Sequence, residues 1–257
     1  GGIGGTGGTG GIGRRTAAHR VPSAPAAAAP EASSEWQMTS AFYAPLMGLE
    51  GNIGVVGLGP FEADVPFDKI LEHLDGALSG AFEARYDRWS FTLDAIWLKL
   101  SAEGHPLANS RFSMSQEQFT SSLSAGYAIF ENDDSRLDLV AGAVLNSLDV
   151  DLKLFTPNLP VTLRTASGTQ TWVDPFVGLR FQQRFNDRWS VFTNGTIGGF
   201  GVSSDEYWQV LAGVGYRLNE TTSLALAYRA ISVDYQQGGF VYDTVSSGPN
   251  IGLIIRF

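Results

Sequence analysis

From Trp36 to the C-terminus, apolar and polar residues alternate with a period of two, the mark of strands whose two faces meet different surroundings. Residues 208–218, WQVLAGVGYRL, put Trp208, Val210, Ala212, Val214, Tyr216 and Leu218 on one face. Gln209, Leu211, Gly213, Gly215 and Arg217 fall on the other. Residues 172–185 set Val173, Val177, Leu179, Phe181 and Phe185 against Asp174, Arg180, Gln182 and Arg184. Residues 137–146 oppose Leu137, Leu139, Ala141, Ala143 and Leu145 to Asp138, Val140, Gly142, Val144 and Asn146. The pattern predicts ten strands, over 36–49, 76–86, 89–101, 113–130, 136–150, 171–185, 189–201, 205–218, 222–235 and 245–257. These exceed the usual five or six residues of a globular strand and suit tilted strands crossing a bilayer, where about 9–11 residues lie in hydrocarbon. The length of 36–57 and 113–130 leaves eight or twelve strands open.

Between strands the chain repeats itself. YDRW (86–89), ENDDSR (131–136), NDRW (186–189) and LNETTS (218–223) are short polar segments rich in the residues that favour turns. Trp89 and Trp189 follow two of these turns on the apolar face, and Tyr86, Phe130, Phe185 and Tyr216 flank turns from the other side. Rings with one apolar and one wet end suit a membrane interface, so these six are expected to girdle one rim. The alternate connections, 50–75, 102–112, 151–170 and 236–244, are mostly longer. Short turns on one rim and long loops on the other, with an even strand count, place both termini at the short-turn side. The long connections are acidic, and cation-bridged lipopolysaccharide or another surface ligand is one reading of them; simple solubility is the plainer one.

Composition narrows the class. No stretch approaches the roughly 20 apolar residues of a membrane helix, and the chain has no Cys, which removes disulfides and thiolate metal sites. A net charge of −9 disfavours nucleic acid. The glycine runs at 1–13 lack the flanking strand and Lys-Ser/Thr of a phosphate cradle, and no cofactor is expected. Residues 1–34, Gly/Thr-rich then Ala/Pro-rich, carry no apolar periodicity and are expected to be a flexible tail ahead of a barrel over 35–257. Arg14 and Arg15 are followed by no apolar core, so this is not an intact secretory signal.

The stretches WQMTSAFYAPLMGLEGNIGV, FDKILEHLDGALSGAFEARYDRW, NDRWS with GGFGV, and the terminal GLIIRF resemble the small bacterial outer-membrane β-barrel proteins grouped around OmpA, OmpX and OmpW, in a proteobacterial subgroup. The resemblance implies an antiparallel up-and-down barrel in contact with outer-membrane lipid and lipopolysaccharide. It also implies a terminal Phe257 read by the barrel-assembly machinery. A soluble lipocalin-like barrel would alternate too, but with its apolar face inward and a more charged exterior. Pro249 departs from the pattern, since within a last strand it removes a ladder donor.

If the polar faces point inward, Glu83, Arg85, Asp94, Asp138, Asp174, Arg180, Arg184, Arg217, Arg229 and Arg256 share a narrow lumen. Rings of such charges line selective pores. The expectation preferred here is a mutually neutralising network that fills the bore, because ten strands enclose little more than the eight that side chains can fill. In the first long loop, Pro66 suits a helix start and Asp68 its dipole, with Phe67, Ile70, Leu71 and Leu74 on one face over 66–74. That helix is either a lid over the outer mouth or a rest on the rim. His73 and His105 fall in outer loops near Glu72, Asp75, Glu103 and Ser110, without a recognisable catalytic motif. A structural or surface-interaction barrel therefore ranks above a narrow porin-like channel gated by 66–74, and both rank above an outer-rim lipid-modifying hydrolase; no enzyme activity is expected.

Overall fold

The computed structural model describes residues 1–2, 35–55, 58–104, 111–155 and 163–257. The tail expected over 1–34 therefore lies almost wholly outside the described residues. The elements are β1 (Gln37–Pro45), β2 (Gly48–Val55), β3 (Leu58–Val65), α1 (Phe67–Glu72), β4 (Leu74–Tyr86), β5 (Trp89–Gly104), β6 (Arg111–Glu131) and β7 (Ser135–Phe155). They continue as β8 (Leu163–Arg184), β9 (Trp189–Gly199), β10 (Glu206–Arg217), β11 (Thr222–Gln237) and β12 (Phe240–Arg256). Ten strands, β1 and β4 to β12, form an antiparallel up-and-down barrel. It closes where β1 meets β12, from Thr39↔Arg256 to Pro45↔Asn250.

The alternation has the polarity of a membrane barrel. Phe42, Leu78, Phe82, Leu93, Leu123, Leu139, Leu179, Ile197 and Leu226 face outward and are exposed, Leu78 at 70% and Leu123 at 63%. So much contiguous outward apolar surface fits lipid and not water. On β7 the outward positions are apolar from Leu137 to Leu145 and then polar at Ser147, bonded to Thr171, and Asp149. Nine residues match the thickness of the hydrocarbon.

Three strands overrun the bilayer. The 21 residues of β6 and of β7 would extend about 70 Å at 3.3 Å each, more than twice the roughly 30 Å of hydrocarbon. Hence 102–104, 111–112, 151–155 and 163–170, all expected within loops, are strand. The connection expected over 236–244 is a two-residue turn: Gln237 pairs Phe240, and Gly238 and Gly239 have φ of 61° and 89°. Positive φ at both central residues is what a type I′ hairpin needs, and glycine accepts it without strain. The stretch 50–75, expected as a loop with one helix, also holds the β2–β3 hairpin, which continues the β12 ladder from Val241↔Gly54 to Ser247↔Gly48.

Pro249 lies inside β12, which begins at Phe240. Its carbonyl accepts the Leu46 N–H at 2.8 Å, at the break between β1 and β2. A residue's N–H and C=O point to the same side of a strand, so the missing donor faces the one place where the first strand interrupts its ladder.

The repeated Asp-Arg-Trp-Ser is one structural unit used twice. Trp89 meets Tyr127 edge-on at 5.0 Å, and Trp189 meets Tyr216 at 4.9 Å. The Arg88 carbonyl accepts from Ala128 N, and the Arg188 carbonyl from Arg217 N, both at 2.8 Å. Ser90 and Ser190 pair with Gly126 and Gly215, where a Cβ would collide with the serine oxygen. Asn132, Asn186 and Asn219 each accept two backbone N–H bonds from residues two and three further on, fixing three of the turns.

Candidate functional site

The interior has two layers. On the short-turn side, ion pairs cross the bore. Arg229 on β11 is 4% exposed. It donates to Asp94 Oδ1 at 2.9 Å, to Gln209 Oε1 at 2.7 Å and to the Tyr43 hydroxyl at 3.0 Å. Tyr43 in turn donates to Asp94 Oδ2 at 2.8 Å. Asp94 is on β5, four places from β11 around the ten-strand ring. Arg180 on β8 pairs with Glu83 on β4, also four places away, and donates to Thr92 at 3.1 Å. Arg85 binds Glu83 at 2.6 Å and Gln182 of β8 at 2.9 Å. A 210 Å³ cavity remains among Glu83, Asp94, Arg180 and Arg229.

Other residues expected in this network sit elsewhere. Asp174, fully buried, accepts from Ser204 N at 2.7 Å and Ser204 Oγ at 2.6 Å, and so fixes the β9–β10 connection. Asp138 binds Arg136 at 2.8 Å, and Arg136 also holds Glu131 and the Arg88 carbonyl. That cluster ties the β4–β5 and β6–β7 turns and does not span the bore. Arg184 is at the rim with Asp134 at 3.1 Å. Arg256 donates to Ser223 at 3.3 Å and Arg217 is half-buried nearby. Tyr43, Thr92, Gln182 and Gln209 were not anticipated as members, nor Arg136 as the partner of Asp138; their inward positions on the alternation were the available signal.

On the loop side the inward face turns apolar. Trp172 stacks on Tyr235, centroids 4.3 Å apart, beside Phe240 and Tyr242. Val140, Val144, Leu148, Val150 and Val233 are buried with them. Beside this cluster lies a 320 Å³ cavity lined by Leu49, Ile53, Ala63, Phe67, Ile70 and Ile96 among others, with Gln116, Gln118, Thr120 and Asn146 on its polar part. The helix α1 forms one wall. It is six residues long with Pro66 as its N-cap. Phe67, Ile70 and Leu74 line the cavity, whereas Leu71, expected on the same face, is 55% exposed.

A seam runs past this cavity. β1 pairs with β4 only from Gln37↔Arg85 to Phe42↔Gly80, and Ser79 Oγ caps the last step by donating to the Tyr43 carbonyl. Above it, residues 74–79 of β4 have ladder partners on β5 alone. Leu78 and Trp97, which end the outward apolar run on β4 and β5, sit at the same level, paired with each other. Trp97 donates to Glu117 at 2.9 Å.

The His73 imidazole lines the cavity and makes no hydrogen bond or ion pair among the described residues. His105 and Ser110 lie outside the described residues. Ser101 Oγ donates to Asp75 at 2.6 Å, without a histidine. No group of three or more potential metal ligands occurs among the described residues. The six rim aromatics are all exposed or half-buried at the short-turn end. Phe257 is 76% exposed, its N–H held by the Met38 carbonyl.

No family model matches the chain, and none of the curated proteins compared with it is similar in sequence. Among solved structures, the outer-membrane protease OmpT of Escherichia coli is similar at 9% identity, with 90% of this chain and 99% of that one covered and a TM-score of 0.54. Neisserial surface protein A is similar at 13% identity, over 86% and 97% of the two chains, with a TM-score of 0.34. A Pseudomonas aeruginosa FadL homologue is similar at 12% identity, over 86% and 89%, with a TM-score of 0.34. At these identities the likeness is one of fold: the chain is a β-barrel of the outer-membrane kind.

Proposed function

We propose that this protein is a closed barrel of a Gram-negative outer membrane, with periplasmic termini and a structural or surface-interaction role, and not an open channel. One observation carries the reading: two sets of ion pairs, Arg229 with Asp94 and Arg180 with Glu83, reach across the bore and not along its wall. Charges held by partners on facing strands occupy the bore at that level, and opening it would strand buried charge. The terminal Phe257 and its alternating strand are the segment through which the assembly machinery would handle the chain. Among the described residues, no nucleophile or orienting acid is hydrogen-bonded to the His73 imidazole.

The test is single-channel conductance of the refolded protein in a planar bilayer. Wild type is expected to stay silent, and so is a variant lacking 66–74, whereas R229A/D94A/E83A/R180A is expected to conduct. Steady wild-type conductance altered by that deletion would replace this reading with a channel gated by α1.

A further inference from the structure

We propose that the loop-side cavity binds one unbranched aliphatic chain bearing an anionic head group, admitted from the membrane through the seam between β1 and β4. Four observations converge. First, the size fits: 320 Å³ would hold roughly ten water-sized groups at about 30 Å³ each, the scale of a medium acyl chain, and pockets of this order are typical of small-ligand sites. Second, the charge fits. In a chain of net charge −9, none of the described residues lining the cavity is acidic, and the two that carry a basic group are Lys69 on α1 and His73 at its C-cap. Lys69 is held by Glu72 at 2.9 Å and more than half exposed, so it borders the opening and not the apolar depth.

Third, the access route is dry. The seam lies where the outward apolar run of β4 and β5 ends at Leu78 and Trp97, so an acyl tail in the outer part of the bilayer meets the opening without crossing water. Fourth, the far end is polar. Asn146, 6% exposed, accepts from Thr120 Oγ1 at 3.0 Å and leaves Nδ2 without a partner. With Gln116 and Gln118 beside it, this ends the apolar space and limits chain length. A buried donor of this kind also offers one hydrogen bond to a bound molecule. The site is separate from the ion-pair layer and stands whether or not the bore conducts.

Trp97 in the lining supplies the reporter. The protein in lipid nanodiscs would be titrated with bromine-labelled dodecanoate, and separately placed in discs of phospholipid brominated on its acyl chains. Fluorescence quenching would be compared with that of W97F, so that the Trp97 share is read by difference. Saturable quenching of Trp97 by the free acid assigns a free fatty acid. Quenching of Trp97 by the brominated phospholipid, lost in the variants below, assigns a lipid chain. In either case A63F, which fills the cavity, should weaken binding by about tenfold, the loss of roughly two buried methylene contacts. I70E on α1, a milder change to the fold, should act in the same direction. Alkyl chains without an anionic head should bind more weakly than the acid. Quenching that is not saturable, or that A63F and I70E both leave unchanged while the barrel migrates as folded, would overturn the proposal.

Discussion

The cross-bore layer makes a quantitative prediction through a double-mutant cycle at Arg229 and Asp94. In wild type the guanidinium has three partners, Asp94, Gln209 and Tyr43, and its side chain is 5% exposed. D94L removes the charged partner and leaves a buried cation beside neutral groups, which costs about 3–5 kcal/mol. R229M leaves Asp94, whose side chain is 22% exposed and keeps its bond from Tyr43, so the loss is smaller, about 1–3 kcal/mol. The double variant R229M/D94L replaces the pair by apolar groups of similar bulk, a change that is often neutral or stabilising. The expected order of damage is therefore D94L, then R229M, then the double variant. The coupling energy should be about 3 kcal/mol or more, far above the roughly 0.5 kcal/mol within which independent sites add. Urea unfolding in phospholipid vesicles, read by tryptophan fluorescence and by gel mobility of folded barrel, measures it. Additive effects would mean that the pair is solvated and does not bridge the bore.

Two further outcomes follow from smaller units. G126A and G215A each drive a methyl group into the facing serine oxygen, and each should cost about 1–3 kcal/mol as overpacking; S90G and S190G should relieve their respective partners, measured by the urea midpoint. D174A strands the Ser204 N–H and hydroxyl, at about 1–3 kcal/mol, and should make 200–205 the first site cut in limited proteolysis, whereas equal protection of that loop would refute the anchoring role.

The outward face could be read from sequence because lipid makes one demand everywhere: each alternate position from Leu137 to Leu145 must be apolar, whatever its neighbours. The inward face makes no uniform demand. Asp94 and Arg229 are 135 positions apart, and nothing in either segment names its partner. Val140 and Val144 fall on the same face as Asp138, as the alternation has it, yet they pack into an aromatic cluster while Asp138 holds a turn. Beyond the bilayer the lipid demand ends, and the outer ends of β7 and β8 carry no clean alternation, which is why 151–155 and 163–170 read as loop. The repeated DRWS was legible as a turn, but its Ser–Gly packing depends on a glycine in the adjacent strand. Pro249 looked like a fault in the last strand because its answering break, at 46–47, lies two hundred residues earlier.

The change from charged to apolar interior coincides with the level at which β1 stops pairing with β4, and the two have one cause. Below that level ten paired strands hold the wall tight enough for side chains from strands four places apart to meet, so an arginine inside finds a carboxylate. Above it the ring is interrupted by the β2–β3 hairpin and α1, and a charge there without a local partner, such as Ser204 gives Asp174, would carry the penalty of an unpaired buried ion. Apolar and amide side chains incur no such penalty and can leave a void. Closure and cavity are thus consequences of the same break in the first strand, and because no side chain named in the ion-pair bridges lines the loop-side cavity, substitutions at Arg229 and Asp94 should leave the cavity's occupancy unchanged while A63F leaves the bore closed.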